Sequence, residues 1–182
     1  MQYIEQSEEI TGYKVKIMQR EAFKVTGYTI IVPPTPSDNM IGQFWDDAIA
    51  NGRLDRLKKA SAVPTWVLGL GSWDPECEKR GSRYTICIEE TEHTDLVRLR
   101  QDYPLFTREI GASEWMCFEM TLGRFKERFW RDNPYKMIPK LGYQFYTREG
   151  DFSVGLHIEA FPPECSFQAD SAMEFWITVE KP

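Results

Sequence analysis

The sequence predicts an α+β fold made of two β-β-α-β-β halves related by pseudo-twofold symmetry, with two antiparallel sheets and helices around a central ligand cleft. Three observations carry the prediction. Many short runs alternate apolar and polar residues, the pattern of strands with one buried face. Two runs, beginning near residues 41 and 122, keep helical spacing instead. The order strand, strand, helix, strand, strand is then spelled twice. Such a unit buries one sheet face under its helix and leaves the other for a shared cleft, where polar groups converge between apolar walls.

The elements follow in order. Residues 1–12 read as a polar lead-in. Tyr13, Val15 and Ile17 share one face of a first strand, and residues 22–32 form a second that runs through Gly27. Pro33, Pro34 and Pro36 exclude both helix and ladder. Ser37, Asp38 or Asn39 can then cap a helix, because their side chains satisfy exposed backbone N–H groups. Ile41, Phe44, Trp45, Ala48 and Ile49 make its apolar stripe, in which Trp45 reads as core. Asn51 and Gly52 signal its end, although Leu54 and Leu57 continue the spacing. Residues 66–71 and 83–90 are strands, the latter with Tyr84, Ile86 and Ile88 on one face. Residues 96–110 read as a strand interrupted near Pro104, and residues 114–122 as the next, with Met116, Phe118 and Met120 opposing Trp115 and Cys117. Leu122, Phe125, Phe129 and Trp130 return to helical spacing; Pro134 kinks or splits that helix and Gly142 stops it. Residues 143–146, 152–161 and 173–180 close the chain as strands. The first repeat therefore covers about residues 13–92 and the second about 96–180, within one domain over 13–182.

Composition narrows the function. With 182 residues, 42% hydrophobic and 27% charged, the chain is long enough for a proper interior. Aromatics at 14%, six of them Trp, predict an aromatic core, an aromatic-lined cavity, or both. A net charge of −6 without a Lys/Arg block argues against direct nucleic-acid binding. No apolar run is long enough for a bilayer span and no basic, apolar leader opens the chain, so cytoplasmic residence is expected. Four scattered cysteines and two histidines offer no metal-ligand spacing, and no phosphate loop, nucleophile elbow or H-E-x-x-H pattern is present. No metal and no cofactor are expected.

The last two strands carry the candidate site. Val154, Leu156 and Ile158 share a greasy face, opposite Gly155, His157 and Glu159. Met173, Phe175, Ile177 and Val179 likewise oppose Glu174, Trp176 and Thr178. The second face of each run mixes a carboxylate with aromatic or small residues, which is unusual for a solvent face. It is read as a pocket wall with Glu159 as acidic anchor and Trp176 and Glu174 beside it. A carboxylate on an inner sheet face is costly to desolvate unless a cation or donors meet it, and Trp or Tyr walls add cation–π attraction. Trp115 and Tyr146 are further wall candidates. His157, two residues from Glu159, is read as a polar rim residue with a proton-transfer couple as the alternative. Residues 84–89 can be laid on 154–159, making Glu89 the counterpart of Glu159.

Six stretches carry a family resemblance. Residues 19–28 (QREAFKVTGY) look like an opening "R-x-a-f-x-v-x-G" strand pair, and Phe44-Trp45 begins the first helix as that pattern requires. Residues 83–89 (RYTICIE) resemble "Y-x-i-G-v-E" with Cys87 in the Gly place, and 137–143 (MIPKLGY) resemble "W-L-P-x-s-G-Y" with Met137 for Trp. Residues 157–161 (HIEAF) match "x-i-E-x-Y" with Phe161 in the Tyr place, and 173–179 resemble "e-i-y-I-P-v" without its Pro. Over residues 13–180 the chain resembles the GyrI-like effector-binding domains, also found fused to AraC-type and multidrug-sensing transcription regulators. The resemblance implies a central cleft for small, often cationic and aromatic molecules, with Glu159 at its base and Tyr84 and Phe161 on its walls. It implies a stand-alone binding protein, expected as a monomer, that senses or sequesters a lipophilic molecule. The family also contains a hydrolase branch acting on strained electrophiles, in which Glu159 would be the catalytic group, and a gyrase inhibitor that works through a protein partner. Phe161 lacks the hydroxyl of the family's Tyr and favours the binding reading.

Overall fold

Two short links between strands fix the shape of the molecule. In the computed structural model, which describes residues 1–34, 39–73, 77, 81–100 and 104–182, the alternating runs become ten strands in one antiparallel sheet. β1 (Gln2–Tyr3) precedes β2 (Lys14–Arg20), β3 (Phe23–Val32), β4 (Val67–Ser72) and β5 (Ser82–Glu90). β6 (Phe106–Ile110), β7 (Ser113–Thr121), β8 (Gln144–Phe145), β9 (His157–Phe161) and β10 (Ala172–Glu180) complete it. The order across the sheet is β1-β2-β7-β10-β9-β4-β5-β3-β6, with β8 on the end of β10. The two expected sheets are thus joined through the β4–β9 pair into one.

β2 and β3 lie six places apart in that order, yet only Glu21 and Ala22 connect them. Six strand spacings in a flat sheet are about 29 Å, whereas a two-residue link spans about 11 Å. β6 and β7, joined only by Gly111 and Ala112, pose the same problem. The sheet must roll up. Its rolled state is visible where Arg20 Nη2 on β2 meets Glu89 Oε2 on β5 at 2.7 Å, and where Phe23 on β3 reaches Trp115 on β7 with ring centroids 6.4 Å apart.

Rolling gives the sheet two cores. The inner one holds Val25, Leu68, Leu70, Trp115, Ile158 and Trp176. The outer one is covered by helices. α2 (Met40–Ala50) and α3 (Arg53–Ala60) bury Phe44, Ala48, Leu54 and Leu57 over one half. Over the other half lie α5 (Leu122–Arg124), a π turn (Phe125–Phe129) and α6 (Trp130–Asp132), with Phe129 against Phe118 and Phe175. Asn39 caps α2 by accepting from the Gly42 N–H; the other cap candidates, Ser37 and Asp38, lie outside the described residues, as do Thr35, Pro36 and Pro75. Leu54 and Leu57 belong to α3, which starts after Gly52 turns left-handed. The second helical run splits at Asn133, where φ is 58°, and resumes as α7 (Pro134–Met137).

Three expectations are corrected. The lead-in is structured: β1 pairs with β2, and a helix, α1 (Ser7–Thr11), is anchored by the buried Ser7 hydroxyl, which accepts from Val15 N at 3.0 Å. Residues 96–99 form a helical turn, α4 (Leu96–Leu99), capped by the Asp95 side chain, so the strand begins only at Phe106. β9 begins at His157 rather than at 152, because Gly155 takes a left-handed turn before it.

Outward from the β9–β4 pair, and leaving β1 aside, the sheet order reads alike in both directions: β4 corresponds to β9, β5 to β10, β3 to β7 and β6 to β2. β9 therefore has β4 as its counterpart, and Glu89 on β5 is not the counterpart of Glu159. No helix among the described residues is long and apolar enough to cross a membrane.

Candidate functional site

Parity within the strands determines which residues meet. β10 pairs with β9 so that Phe175 lies opposite Glu159 and Ile177 opposite His157. Directly paired residues share a face, so Glu159 and His157 belong with Phe175 on the helix-covered side. Glu174 and Trp176 point the other way. The cavity at Glu159 accordingly lies on the face beneath the helices, at the seam between the two halves, and not on the open face where the cleft was expected.

A cavity of about 510 Å³ opens at this seam. Ile41, Trp45, Asp46 and Ile49 on α2 line one wall; Leu122, Phe125, Lys126 and Trp130 on the second helical run line the other. Tyr84, His157, Glu159 and Phe161 supply the sheet side, and Phe167 in the loop before β10 closes an end. The volume falls in the range that takes drug-sized molecules.

Glu159 is buried, with 7% of its surface exposed. The Tyr84 hydroxyl donates to its Oε2 at 2.8 Å, and the Trp45 Nε1–H donates to the Tyr84 oxygen at 2.8 Å. Burial pushes the Glu159 carboxyl up to about 7, against the Tyr84 hydrogen bond and the Lys126 charge, which both favour the carboxylate. Burial, and then the nearby carboxylate, hold the Tyr84 phenol well above its ordinary range, so it remains a donor. Burial also presses His157 down to about 4, leaving a neutral imidazole stacked on Phe175 at 5.5 Å and met edge-on by Trp130 at 5.8 Å. Its Nδ1 lies 3.5 Å from the Tyr135 hydroxyl.

β4 makes room for this arrangement by carrying glycine at two alternate positions. Gly69 pairs with Glu159 and Gly71 with His157. A Cβ at Gly69 would stand 2.2 Å from the Tyr84 hydroxyl oxygen, and one at Gly71 would stand 2.1 Å from His157 Nε2. Both distances are far inside contact. The missing side chains let the Tyr84 phenol and the His157 ring lie across β4.

Of the residues singled out from the sequence, the structure brings Glu159, Tyr84, His157 and Phe161 to this cavity. Trp115 is fully buried in the inner core, and Trp176 lies there against Trp66 and Trp115. Glu174 binds Lys16 at 2.5 Å and accepts from Trp176 Nε1 at 2.6 Å. Glu89 binds Arg20. Glu89, Glu174 and Trp176 line a second cavity, of about 440 Å³, on the other side of the sheet. Tyr146 lies at the surface, where its hydroxyl accepts from Arg148 Nη2 at 2.7 Å.

Sequence reasoning missed Trp45, Lys126, Trp130 and Phe167. Trp45 was hidden in an amphipathic stripe, since a stripe bordering a cavity has the same spacing as one bordering core. Trp130, 45% exposed, belonged to a similar stripe. Phe167 follows no periodic pattern; its φ of 59°, rare for a bulky side chain, sets its ring 5.5 Å from Trp45 and 5.0 Å from Phe161. Among the described residues no group of three or more His, Cys, Asp or Glu is placed to hold a metal ion.

At the level of sequence, no protein-family model matches the chain, and no curated protein matches it significantly. Solved structures do. SAV2435 bound to tetraphenylphosphonium superposes with a TM-score of 0.65 over 91% of this chain and 93% of that one, at 13% identity. The EcmrR C-terminal domain gives 0.55 over 93% and 99%, at 14% identity. EcmrR in its DNA complex gives 0.58 over 97% of this chain and 61% of that one, at 12% identity. The fold is GyrI-like.

Proposed function

We propose that the chain binds a lipophilic, cationic or aromatic small molecule in the cavity between its helix pairs, with Glu159 as the acidic anchor. The observation that carries this reading is a buried carboxylate at an aromatic cavity wall, held by one short hydrogen-bond relay through Tyr84 and Trp45. A carboxylate out of water attracts a ligand cation more strongly than a surface one does. Trp45, Trp130, Phe161 and Phe167 line the cavity, and an aromatic ring attracts a cation that lies over its face. The tetraphenylphosphonium carried by SAV2435 supports the choice of ligand class. Titration with tetraphenylphosphonium at pH 8.5 tests it: Glu159→Gln should weaken binding about tenfold or more, and equal affinity in the two proteins would remove Glu159 from the anchor role.

A second reading rests on the same carboxyl. A group that titrates near neutrality beside a phenol donor has the acidity a general base needs, so hydrolysis of a strained electrophile is the alternative activity. Product formed beyond one equivalent, and lost in Glu159→Gln, would favour the enzyme; capture of one equivalent or none would favour the binder.

A further inference from the structure

Lys126 is a charge that the anchor role leaves unexplained. Among the described residues it is the one lysine or arginine on the cavity wall. It projects from the π turn, a geometry often found at functional sites. The groups facing Glu159 from each packed element can be named. β5 offers the Tyr84 hydroxyl and β9 itself the neutral His157. β4 offers Gly69 and β10 the Phe175 ring. α2 places Asp46 on the cavity wall, and the second helical run places Lys126 there. Among the described residues Lys126 is thus the one cation on the wall of the Glu159 cavity, and its field favours the ionised carboxylate.

We infer that Lys126 is a specificity-determining residue, a resident counter-ion that an incoming cation must displace from the field of Glu159. This rests on the ligand-binding reading above. A small ammonium ion would replace one ammonium by another and gain little ring contact. A bulky aromatic cation gains the Trp45, Trp130 and Phe167 surfaces, and so does a neutral aromatic molecule of the same shape. The wild-type cavity therefore selects on aromatic surface more than on charge, and the substrate class extends to neutral aromatic compounds.

The test uses Lys126→Met, which keeps the side-chain length at an exposed position and removes the charge, with Lys126→Gln as a second variant. Affinities for tetraphenylphosphonium and for neutral triphenylphosphine oxide are measured at pH 8.5, where Glu159 is ionised. Removing a like charge from the cavity wall, where solvent screens it well, should tighten the phosphonium about fivefold and leave the phosphine oxide within about twofold. Unchanged or weaker phosphonium binding would overturn the inference. A ligand-free readout separates the two claims: the titration midpoint of Glu159, followed by carboxyl 13C resonances, should move to higher pH in both variants. No movement overturns the counter-ion role. Movement without binding of either probe by the wild type would sustain the counter-ion and defeat the ligand reading.

Discussion

Binding of a lipophilic cation should be switched by pH through Glu159 alone. Its carboxyl titrates near 7, whereas His157 titrates near 4 and the Tyr84 phenol is held well above its ordinary range. Between pH 5.5 and 8.5 no other of these groups changes charge. If the carboxylate is the binding form, the observed Kd scales as one plus ten raised to pKa minus pH. That factor is about 1 at pH 8.5, about 11 at pH 6 and about 30 at pH 5.5. Affinity for tetraphenylphosphonium should therefore fall about tenfold from pH 8.5 to pH 6. A bound cation drives the proton off, so about 0.9 proton should be released per cation bound at pH 6, and almost none at pH 8.5. Calorimetry at pH 6 in two buffers of different ionisation enthalpy measures that proton directly. Glu159→Gln should flatten the pH dependence and abolish the release. A wild-type Kd that does not change between pH 8.5 and 6, with no proton released, would refute the placing of the anchor at Glu159.

Three further outcomes follow from the same geometry. The raised carboxyl makes folding bind a proton between about pH 4.5 and 7, so its contribution to stability falls as pH rises through that window; the depressed His157 makes folding release one between about pH 4 and 6.5, so its contribution is lost as pH falls. Each shift corresponds to about 3 kcal/mol; the two slopes cancel over most of the window, and urea denaturation should show a nearly flat wild type, a rising Glu159→Gln and a falling His157→Gln. Gly69→Ala puts a methyl group 2.2 Å from the Tyr84 hydroxyl oxygen and displaces the donor, so the midpoint for cation binding should move above pH 7, as it should in Tyr84→Phe. The Trp115 indole N–H is buried without a partner, so Trp115→Phe removes an unsatisfied donor and should change stability by no more than about 1 kcal/mol. Trp115→Ala should cost about 3–5 kcal/mol, and equal losses in the two variants would contradict this account of the inner core.

The strands and helices were largely legible because burial on one face writes a period into the sequence. Residues 173–179 alternate and form β10; residues 41–49 keep helical spacing and form α2. Where a local conformation overrode the pattern, the reading failed: the Gly155 turn cut β9 short, and the Asp95 cap converted residues 96–99 into helix. The site was legible only in part. Alternation separates the faces of each strand but does not say which faces of two strands coincide, because a shift of one residue in pairing exchanges them. Glu159 and Trp176 were read as one wall, and the observed register puts them on opposite sides. Arg20 and Glu89 lie far apart in sequence and meet only because the sheet rolls. Lys126 and Phe167 reach the cavity through the placement of a helix and a loop, which no single-strand period encodes.

The sheet order also means that the two halves have traded strands. β2, from the first half of the sequence, lies beside β7 of the second, and β6, from the second, lies beside β3 of the first. A chain cut between β5 and α4 would thus yield two fragments, each holding a strand that pairs in the other's half of the sheet, β2 in the first and β6 in the second, and each lacking its own. Neither piece could satisfy its ladder alone, and the exposed edges would make either one prone to association. Mixed together, they have every pairing the intact chain has. The link at residues 91–95 contributes no strand to the sheet, so the two nicked pieces should reconstitute the cavity at the seam when neither does so by itself.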